Sequence, residues 1–246
     1  MSAIRFSKIK LLETGYSPAT LNMAIDETLM ETRDDVPVLR IYGWKPAAIS
    51  IGYFQSMKDE VDLEKCSQLG LDVVRRLTGG GAVLHEFELT YSFITRQYPQ
   101  NILESYKWIC DAIVMSINRL GVDASFVPLN DIVVDGKKVS GNAQTRKKGV
   151  LLQHGTLLLG LDVDKMFSVL KVSSEKLRDK IIKDVKGRVT CLAGITFNDM
   201  ASSIKSSFAE KFDAQIVADS LSTEEISSAE WMANRRYGSK EWNFRR

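Results

Sequence analysis

The stretch from Asn130 to Ala143, NDIVVDGKKVSGNA, predicts a β-hairpin more clearly than any other part of this sequence. Asp135-Gly136 separates two strand-like runs, and this dipeptide favours a type I′ turn because both central residues of such a turn need positive φ. Alternation along the second strand sends Lys137 and Lys138 to opposite faces, so one of them can enter a pocket. The alternative is that both lysines lie exposed on an edge strand and hinder aggregation.

Residues 149–161, GVLLQHGTLLLGL, follow this hairpin and predict a long, heavily buried strand. His154 lies near the centre of this strand. A histidine in so apolar a strand is more often a core residue with a hydrogen-bond partner than a catalytic group. The strand by itself therefore leaves the role of His154 open.

Strands and helices alternate irregularly around the hairpin, and no internal repeat or low-complexity linker is visible. Further strands are predicted from the runs VLRIYGW (38–44), AAISIGYFQ (47–55), LDVVRRL (71–77) and ELTYSFITR (88–96). Helices are predicted after an N-cap at Ser17 with Pro18 in the first turn, over 60–69, 103–120, 174–186 and 198–212, and after a capping box at Ser222 and Glu225. This order predicts an α+β fold with mixed, mostly antiparallel sheets packed with helices. We expect a single domain over 1–246, with a helical C-terminal segment at about 197–246.

The composition is that of an ordinary globular protein, with 246 residues, 44% of them hydrophobic, and a net charge of +2. This charge falls well short of the basic bias of a dedicated nucleic-acid binder. No signal sequence or membrane-spanning apolar run is visible, so we expect a cytoplasmic protein without a membrane partner. Cys66, Cys110 and Cys191 lie far apart with only two histidines as further ligands, which argues for reduced thiols and against a structural zinc site.

A glycine-rich stretch from Arg75 to His85, RRLTGGGAVLH, lies between two predicted strands. Three successive glycines let a ligand approach the backbone closely, and free N–H groups in such a loop bind phosphate or carboxylate oxygens. The two arginines add planar, positively charged donors. The spacing is neither that of a Walker loop nor that of a dinucleotide-binding loop, and a tight hairpin or bulge is the structural alternative.

In their order and intervals, six stretches together resemble the lipoate–protein ligase family, within the wider superfamily that also holds octanoyltransferases and biotin protein ligases. The stretches are LNMAIDETL near the start, RRLTGGGAVLHE, LNDIVVDGKKVSGNAQ, LQHGTLLLGLD, GRVTCL and the closing SKEWNF. The resemblance covers most of the chain and implies the fold of the biotin/lipoate ligase catalytic domain.

This resemblance implies an ATP-dependent reaction with ATP and Mg²⁺ as cofactors. A carboxylate oxygen of lipoate would attack the α-phosphorus of ATP and form lipoyl-AMP with loss of pyrophosphate, after which a lysine of an acceptor protein would take the lipoyl group. Lys138 matches the family's active-site lysine, the one directly before Val-Ser-Gly. Its ammonium would stabilise the charge that develops on the phosphate and acyl oxygens.

The same resemblance implies binding residues and partners. The nucleotide is expected at Arg75, Arg76, Gly80, Gly81, Ala82, Val83, Leu84, Asn130, Asp131 and Lys138, with Asp131 as the candidate Mg²⁺ ligand. The acyl chain is expected at Gly79, Gly80, His85, Lys138, Gly141, Ala143, His154, Gly155 and Thr156, where small residues leave room for an apolar tail. The expected partners are lipoyl-acceptor proteins: acyl domains of 2-oxoacid dehydrogenases, the glycine-cleavage carrier or a related lipoate-binding protein.

Two departures from the ligase pattern keep other functions open. Full-length bacterial-type ligases carry an accessory domain after the EWNF-like segment, whereas this chain stops two residues past Phe244. We therefore expect that a separate small protein supplies that domain, or that the enzyme adenylates poorly alone. The run ELTYSF after His85-Glu86 looks more like the cysteine-dependent octanoyltransferases. One group of these places its nucleophile shortly before the lysine hairpin, where residues 125–130 contain no cysteine, and another places it near the position of Cys191.

Cys191 is therefore central to the alternative function, in which its thiolate accepts an acyl group from acyl carrier protein and passes it to the acceptor lysine. The competing interpretation is that Cys191 is a small buried hydrophobic residue. A non-catalytic lipoate-binding protein is the third hypothesis. ATP-dependent lipoate ligation is the function that the sequence favours, because the glycine triplet and the Gly-Arg-Val-Thr run before Cys191 match the ligases.

Overall fold

The computed structural model describes residues 4–33, 35–171 and 175–246. The strands are β1 (Lys8–Ser17), β2 (Val38–Trp44), β3 (Ala48–Ile51), β4 (Asp72–Arg75), β5 (Val83–His85), β6 (Glu88–Thr95), β7 (Ala124–Val127), β8 (Asp131–Val134), β9 (Lys137–Lys147), β10 (Val150–Leu158) and β11 (Gln215–Ala218). The helices are α1 (Ala19–Thr32), α2 (Met57–Glu60), α3 (Leu63–Gln68), α4 (Ile102–Asn118), α5 (Val163–Val169), α6 (Glu175–Arg188), α7 (Phe197–Phe212), α8 (Thr223–Met232) and α9 (Lys240–Asn243), with a π-helical turn at Ala233–Tyr237. None of the helices in these ranges combines the length and apolar character needed to cross a lipid bilayer.

Eight strands form the main sheet in the order β11-β1-β2-β6-β10-β9-β8-β7, and β4-β3-β5 form a smaller sheet beside it. From β2 to β7 in this order, neighbouring strands of the main sheet run antiparallel, whereas β1 pairs in parallel with both β2 and β11. The predicted α+β fold, with mixed and mostly antiparallel sheets packed with helices, is confirmed.

Helices cover both faces of the main sheet, which explains why β2 is apolar along nearly its whole length. Leu39 and Ile41 face the core formed with α4 and α7, while Val38 and Tyr42 face the core formed with α1 and α8. Successive strand residues point to opposite faces, so a strand buried on both sides needs apolar residues at consecutive positions. The smaller sheet and α3 enclose a third core around Ile49.

Several local signals are confirmed. Asp135 and Gly136, between β8 and β9, have φ values of 49° and 72°, as the type I′ turn requires. Gly70 follows α3 with a φ of 64°, the left-handed conformation that ends many helices. Ser222 and Glu225 form the predicted capping box at the start of α8.

The predicted N-cap of the first helix is wrong. Ser17 is the last residue of β1 and pairs with Trp44, so its side chain makes no capping bond to α1. The N–H of Ala19 at the start of α1 instead donates to Asp72 Oδ2 at 3.1 Å. The carboxylate of Asp72, on the distant strand β4, therefore supplies the hydrogen-bond acceptor that we predicted at the neighbouring Ser17.

The helix predicted over 60–69 is divided into α2 and α3, because Asp62 accepts a hydrogen bond from Lys65 N and caps a new helix. The helix predicted over 174–186 is observed as Glu175–Arg188, and its predicted first residue lies outside the described ranges. The pairing of β8 with β9 contains a bulge, in which Val139 is the extra residue between two register pairs. Such a bulge changes which side chains share a face of the strand.

A buried ion pair fixes α1 on the main sheet. Arg40 Nη1 donates to Asp26 Oδ1 at 2.8 Å, and both side chains are almost completely buried. Asp26 also accepts hydrogen bonds from Ser92 and Tyr42. Burial by itself raises the pKa of the Asp26 carboxyl. The Arg40 guanidinium and the His154 imidazole lower the pKa by more than burial raises it, so the pKa lies below its ordinary value of 3.8.

We expect Arg40→Leu to reduce the free energy of unfolding by about 3–5 kcal/mol, because it leaves a buried carboxylate without its counter-charge. Urea denaturation at neutral pH measures this loss. The double variant Arg40→Leu/Asp26→Asn serves as the control and should be less destabilised than the single variant. A single variant within about 1 kcal/mol of the wild type would show that the ion pair does not hold α1 in place.

Candidate active site

A cavity of about 260 Å³ opens between the glycine-rich loop on one side and β9 and β10 on the other. The predicted binding residues line this cavity, with the exception of Arg75, Gly79 and Asp131. Those that line it are Arg76, Gly80, Gly81, Ala82, Val83, Leu84, His85, Asn130, Lys138, Gly141, Ala143, His154, Gly155 and Thr156. Three distant stretches of sequence that were predicted to bind ligand therefore form one pocket.

Lys138 reaches the pocket because of the bulge at Val139. Gly141 pairs with Thr156 of β10, and both residues line the pocket. With strict alternation along β9, Lys138 and Gly141 would lie on opposite faces of the strand, because they are three residues apart. The extra residue reverses this alternation, and a Cβ on Gly141 would lie 2.8 Å from Lys138 Cε and Nζ. Lys138 Nζ donates to Asp131 Oδ1 at 2.8 Å, with 39% of the lysine side chain exposed.

Asp131 thus lies at the edge of the site as the partner of Lys138. Among the described residues, no group of three or more His, Cys, Asp or Glu side chains converges on a point where a metal ion could bind. The predicted binding of Mg²⁺ at Asp131, and of ATP at the loop, stays a prediction.

Arg76 holds the backbone of the glycine-rich loop through hydrogen bonds. Its Nη2 donates to Gly79 O at 3.0 Å and to Gly81 O at 2.9 Å, while Nη1 donates to Ser50 O and Oγ. Burial lowers the pKa of this guanidinium to about 10, so it remains positively charged at neutral pH. Because the loop carbonyls and Ser50 occupy its donors, Arg76 positions the loop backbone and has little freedom to contact a ligand.

Arg75 points away from the pocket and binds the C-terminal segment. It donates to Trp242 O at 3.0 Å and Asn243 O at 2.8 Å, and to three carbonyls of the turn 52–55. The two adjacent arginines therefore have different surroundings, as expected from strand alternation at the end of β4.

His85 is held in one orientation by its neighbours. Its Nδ1 lies 2.7 Å from Glu88 Oε1, its Nε2 lies 2.6 Å from Ser50 Oγ, and its ring stacks on Trp44 with centroids 3.9 Å apart. Since Arg76 donates to Ser50 Oγ, the Ser50 hydroxyl can donate to His85 Nε2. This network engages both ring nitrogens of His85 and fixes the orientation of its ring.

The sequence interpretation missed several lining residues. Met23 and Trp44 line the cavity from α1 and β2, where their spacing had the appearance of ordinary core. Thr90 also lines it and donates to Glu88 Oε1 at 2.6 Å. Thr90 and Glu88 belong to the ELTYSF run, so the departure from the ligase pattern was a signal for these two residues.

His154 connects the pocket to the buried ion pair. Its Nε2 lies 2.7 Å from Thr78 Oγ1, and its Nδ1 lies 3.6 Å from Asp26 Oδ2. Burial lowers the pKa of His154 below its ordinary value of 6.5, although Asp26 raises it in part. A neutral imidazole is therefore favoured in this part of the pocket.

The three cysteines have different environments. Burial raises the pKa of Cys66 to about 11 and that of Cys110 to about 12, so both thiols are poor nucleophiles at neutral pH. Cys191 is only partly buried. It lies between Thr190, whose N–H donates to Lys138 O at 2.9 Å, and Leu192, whose N–H donates to Leu158 O at 2.7 Å.

The fold and this pocket define a class of enzymes that bind small molecules in a largely apolar cavity, with a lysine at its entrance. Within that class, the family model of the lipoyl protein ligase A/B catalytic domain matches residues 18–213. The chain therefore belongs to the lipoyl protein ligase A/B catalytic-domain family, and it is an enzyme of the ligase and transferase type found there.

Curated relatives and a solved structure support this assignment. The chain is 36% identical to octanoyltransferase LipM from Geobacillus kaustophilus (strain HTA426) and 34% identical to octanoyltransferase LipM from Bacillus subtilis (strain 168), with 96% of this chain and 98% of each relative covered. It is also similar to a crystallised bi-partite lipoate protein ligase of an archaeal lipoylation system from Thermoplasma acidophilum, with 31% identity, a TM-score of 0.89, and 98% of this chain and 96% of that chain covered.

These relatives overturn one prediction. ATP-dependent lipoate ligation was the reaction that the sequence favoured, and it is wrong, because curated relatives that cover 91% to 96% of this chain are named octanoyltransferases. The resemblance to the family was correct, since the family model of the lipoyl protein ligase A/B catalytic domain matches residues 18–213. The ELTYSF run was the feature that pointed to the transferases.

We expect the free energy of unfolding to fall as the pH drops from about 7 to about 5, in part because of His154. Its folded pKa is below the unfolded value of 6.5, so the unfolded state binds more protons in this range and acid favours unfolding. Urea denaturation at several pH values should show a smaller acid loss for His154→Gln than for the wild type. Equal pH dependence in the two proteins would contradict a neutral, buried imidazole.

Gly141→Ala should reduce turnover by about tenfold to a hundredfold while leaving the protein folded, since displacing a catalytic group by about 1 Å has effects of this size. The new methyl carbon would lie 2.8 Å from Lys138 Cε and Nζ, so the end of the lysine side chain would have to move. Gly187→Ala is the matched control, because nothing lies within 4 Å of a Cβ placed there. Wild-type turnover in Gly141→Ala would show that the observed position of Lys138 is not the active one.

Proposed function

We propose that this enzyme transfers an octanoyl or similar medium-chain acyl group from a thioester donor to a lysine of a lipoyl-acceptor protein. The observation that carries this proposal is the ammonium of Lys138 at the mouth of a largely apolar cavity, in a chain whose relatives are named octanoyltransferases. A thioester is already activated for acyl transfer, so the reaction needs no nucleotide.

The pocket chemistry suits an apolar acyl chain. Met23, Trp44, Leu158 and Met166 supply apolar surface along the cavity. The lowered pKa of His154 favours an uncharged imidazole, which an acyl chain tolerates far better than an imidazolium. A cavity of this kind binds the chain by removing apolar surface from water.

Cys191 is the residue that we propose as the acyl-accepting nucleophile. It is the partly exposed cysteine of the three, and the segment that carries it hydrogen-bonds to Lys138 O and Leu158 O at the pocket wall. Residues 125–130 contain no cysteine. The alignment with the Geobacillus relative is 272 positions long although this chain has 246 residues, so that relative carries internal segments that are absent here.

In the first step, the Cys191 thiolate attacks the carbonyl carbon of the donor thioester. The new bond is Cys191 Sγ–C, the bond between the carbonyl carbon and the donor sulfur breaks, and the donor leaves as a thiol after taking up a proton. In the second step, the neutral amine of the acceptor lysine attacks the same carbon, the amide C–N bond forms, the Sγ–C bond breaks, and Sγ accepts the amine proton. No oxidant and no nucleotide enters this balance.

Lys138 stabilises the charge that develops on the carbonyl oxygen in both steps. Its ammonium is positioned by Asp131 and by the space left at Gly141. A fixed donor near a developing oxyanion lowers the barrier because the charge exists mainly in the transition state. The partners that follow from this reaction are an acyl-thioester carrier as donor and a lipoyl domain or glycine-cleavage carrier as acceptor. A separate accessory protein remains a prediction.

We expect purified enzyme to acylate an acceptor domain from octanoyl acyl carrier protein without ATP, with a mass increase of one octanoyl group on the acceptor. Cys191→Ser and Lys138→Ala should each lower the rate by at least about a hundredfold. Cys66→Ser is the matched control and should retain wild-type turnover. Intact-mass analysis without acceptor should detect an acyl-enzyme in the wild type.

Two results would contradict the proposal, the first as a whole and the second only in its choice of nucleophile. A strict requirement for ATP with free octanoate or lipoate as donor would exclude the thioester reaction. Full activity of Cys191→Ser from the thioester donor would retain the transferase function but remove Cys191 as its nucleophile.

A further inference from the structure

One surface combines an exposed phenylalanine and two exposed arginines with two partly buried aromatic rings from two distant parts of the chain. It is formed by Tyr53, Phe54, Trp242, Arg245 and Arg246 and is called here the arginine-aromatic surface. The Arg245 guanidinium lies over the Tyr53 ring at 4.2 Å and the Trp242 ring at 5.2 Å from their centroids. Arg246 lies over the Phe54 ring at 5.3 Å, and Phe54 is 65% exposed. A large exposed ring such as that of Phe54 occurs where proteins bind partners more often than on other surfaces.

This surface adjoins the mouth of the pocket. The N–H of Tyr53 donates to Thr78 O at 2.8 Å, directly before the glycine-rich loop. A Cβ on Gly52 would lie 2.0 Å from Gly80 O, so the backbone of the turn that carries Phe54 packs tightly against the loop. Gly80 lines the pocket. A molecule seated on Phe54 and Arg246 is therefore next to the entrance.

Among the described residues, no carboxylate forms a salt bridge with an arginine of this surface. The arginines that form ion pairs in the described part of the chain are Arg5, Arg33, Arg40, Arg96, Arg119, Arg188 and Arg236. Arg75, Arg245 and Arg246 are outside this set. The pKa of Arg75 is lowered, first by burial and then by the charges of Arg245 and Arg246, as expected where like charges gather.

We propose that the arginine-aromatic surface docks the acyl donor, an acidic carrier protein that presents the acyl thioester on a phosphate-linked arm; this inference rests on the function proposed above. Arginine pairs well with carboxylates and with phosphate oxygens, and uncompensated positive charge attracts an acidic partner over some distance. Phe54 supplies apolar contact area beside these charges. The donor arm then enters past Gly80, and the hairpin side of the mouth, with Asn130 and Lys138, remains open to the acceptor.

The test uses the double variant Arg245→Glu/Arg246→Glu with two donors, octanoyl acyl carrier protein and octanoyl-pantetheine, which has neither protein nor phosphate. We expect KM for the carrier donor to rise by about tenfold or more, because charge reversal at an interface rim acts mainly on association. KM and kcat for octanoyl-pantetheine, and KM for the acceptor domain, should stay at wild-type values. Arg245→Lys/Arg246→Lys should restore much of the carrier affinity.

Lys8→Glu/Lys148→Glu is the matched control, since it changes the net charge equally at exposed residues outside the surface. Circular dichroism confirms that each variant is folded. An unchanged KM for the carrier donor, or a rise in KM for the acceptor instead, overturns the docking assignment. If wild-type enzyme uses neither donor, the transferase function itself has failed. If the double variant turns over octanoyl-pantetheine and has a wild-type KM for the carrier donor, the transferase function stands and only the docking proposal is rejected.

Discussion

The buried carboxylate of Asp26 is the constraint on which the rest of the pocket depends. A carboxylate removed from water is costly unless donors surround it, and here donors from two neighbouring strands of the main sheet bond to it while an imidazole on a third strand lies 3.6 Å away. Arg40 and Tyr42 belong to β2, Ser92 belongs to β6, and His154 belongs to β10. One side chain on α1 thereby fixes the helix on the sheet and also the imidazole that forms part of the pocket wall.

Two adjacent arginines hold two different segments on the other side of the pocket, Arg76 the glycine-rich loop and Arg75 the C-terminal segment behind it. Arg76 uses its guanidinium to hold the carbonyls of Gly79 and Gly81, so the loop has a fixed shape before any ligand arrives. The side chain of Arg75 lies on the opposite face of β4 from Arg76 and donates hydrogen bonds to the segment around Asn243 and to the turn 52–55. Strand alternation alone produces this division. Its consequence is that the C-terminal segment becomes part of the surface around the pocket mouth.

The family to which this chain belongs includes enzymes that activate an acyl group in different ways on the same scaffold. A ligase must make an activated acyl adenylate, whereas a transferase receives an acyl group that is already activated as a thioester. An acyl chain is best held in an apolar cavity and a cation stabilises charge on an acyl carbonyl, and the pocket lining and Lys138 are the parts of this structure that we propose for these roles. The motifs that encode these shared parts therefore identify the family better than they identify the reaction.

The sequence alone determined the α+β class, the type I′ turn at Asp135-Gly136 and most of the pocket residues, because turn chemistry, hydrophobic periodicity and glycine content act locally. It favoured the wrong reaction, since the shared motifs outweighed the ELTYSF run. Tertiary structure decided that Lys138 faces Gly141, through the bulge at Val139, and that Arg75 leaves the pocket while Trp44 enters it. These outcomes depend on strand register and on contacts between residues far apart in the chain, which no local pattern encodes.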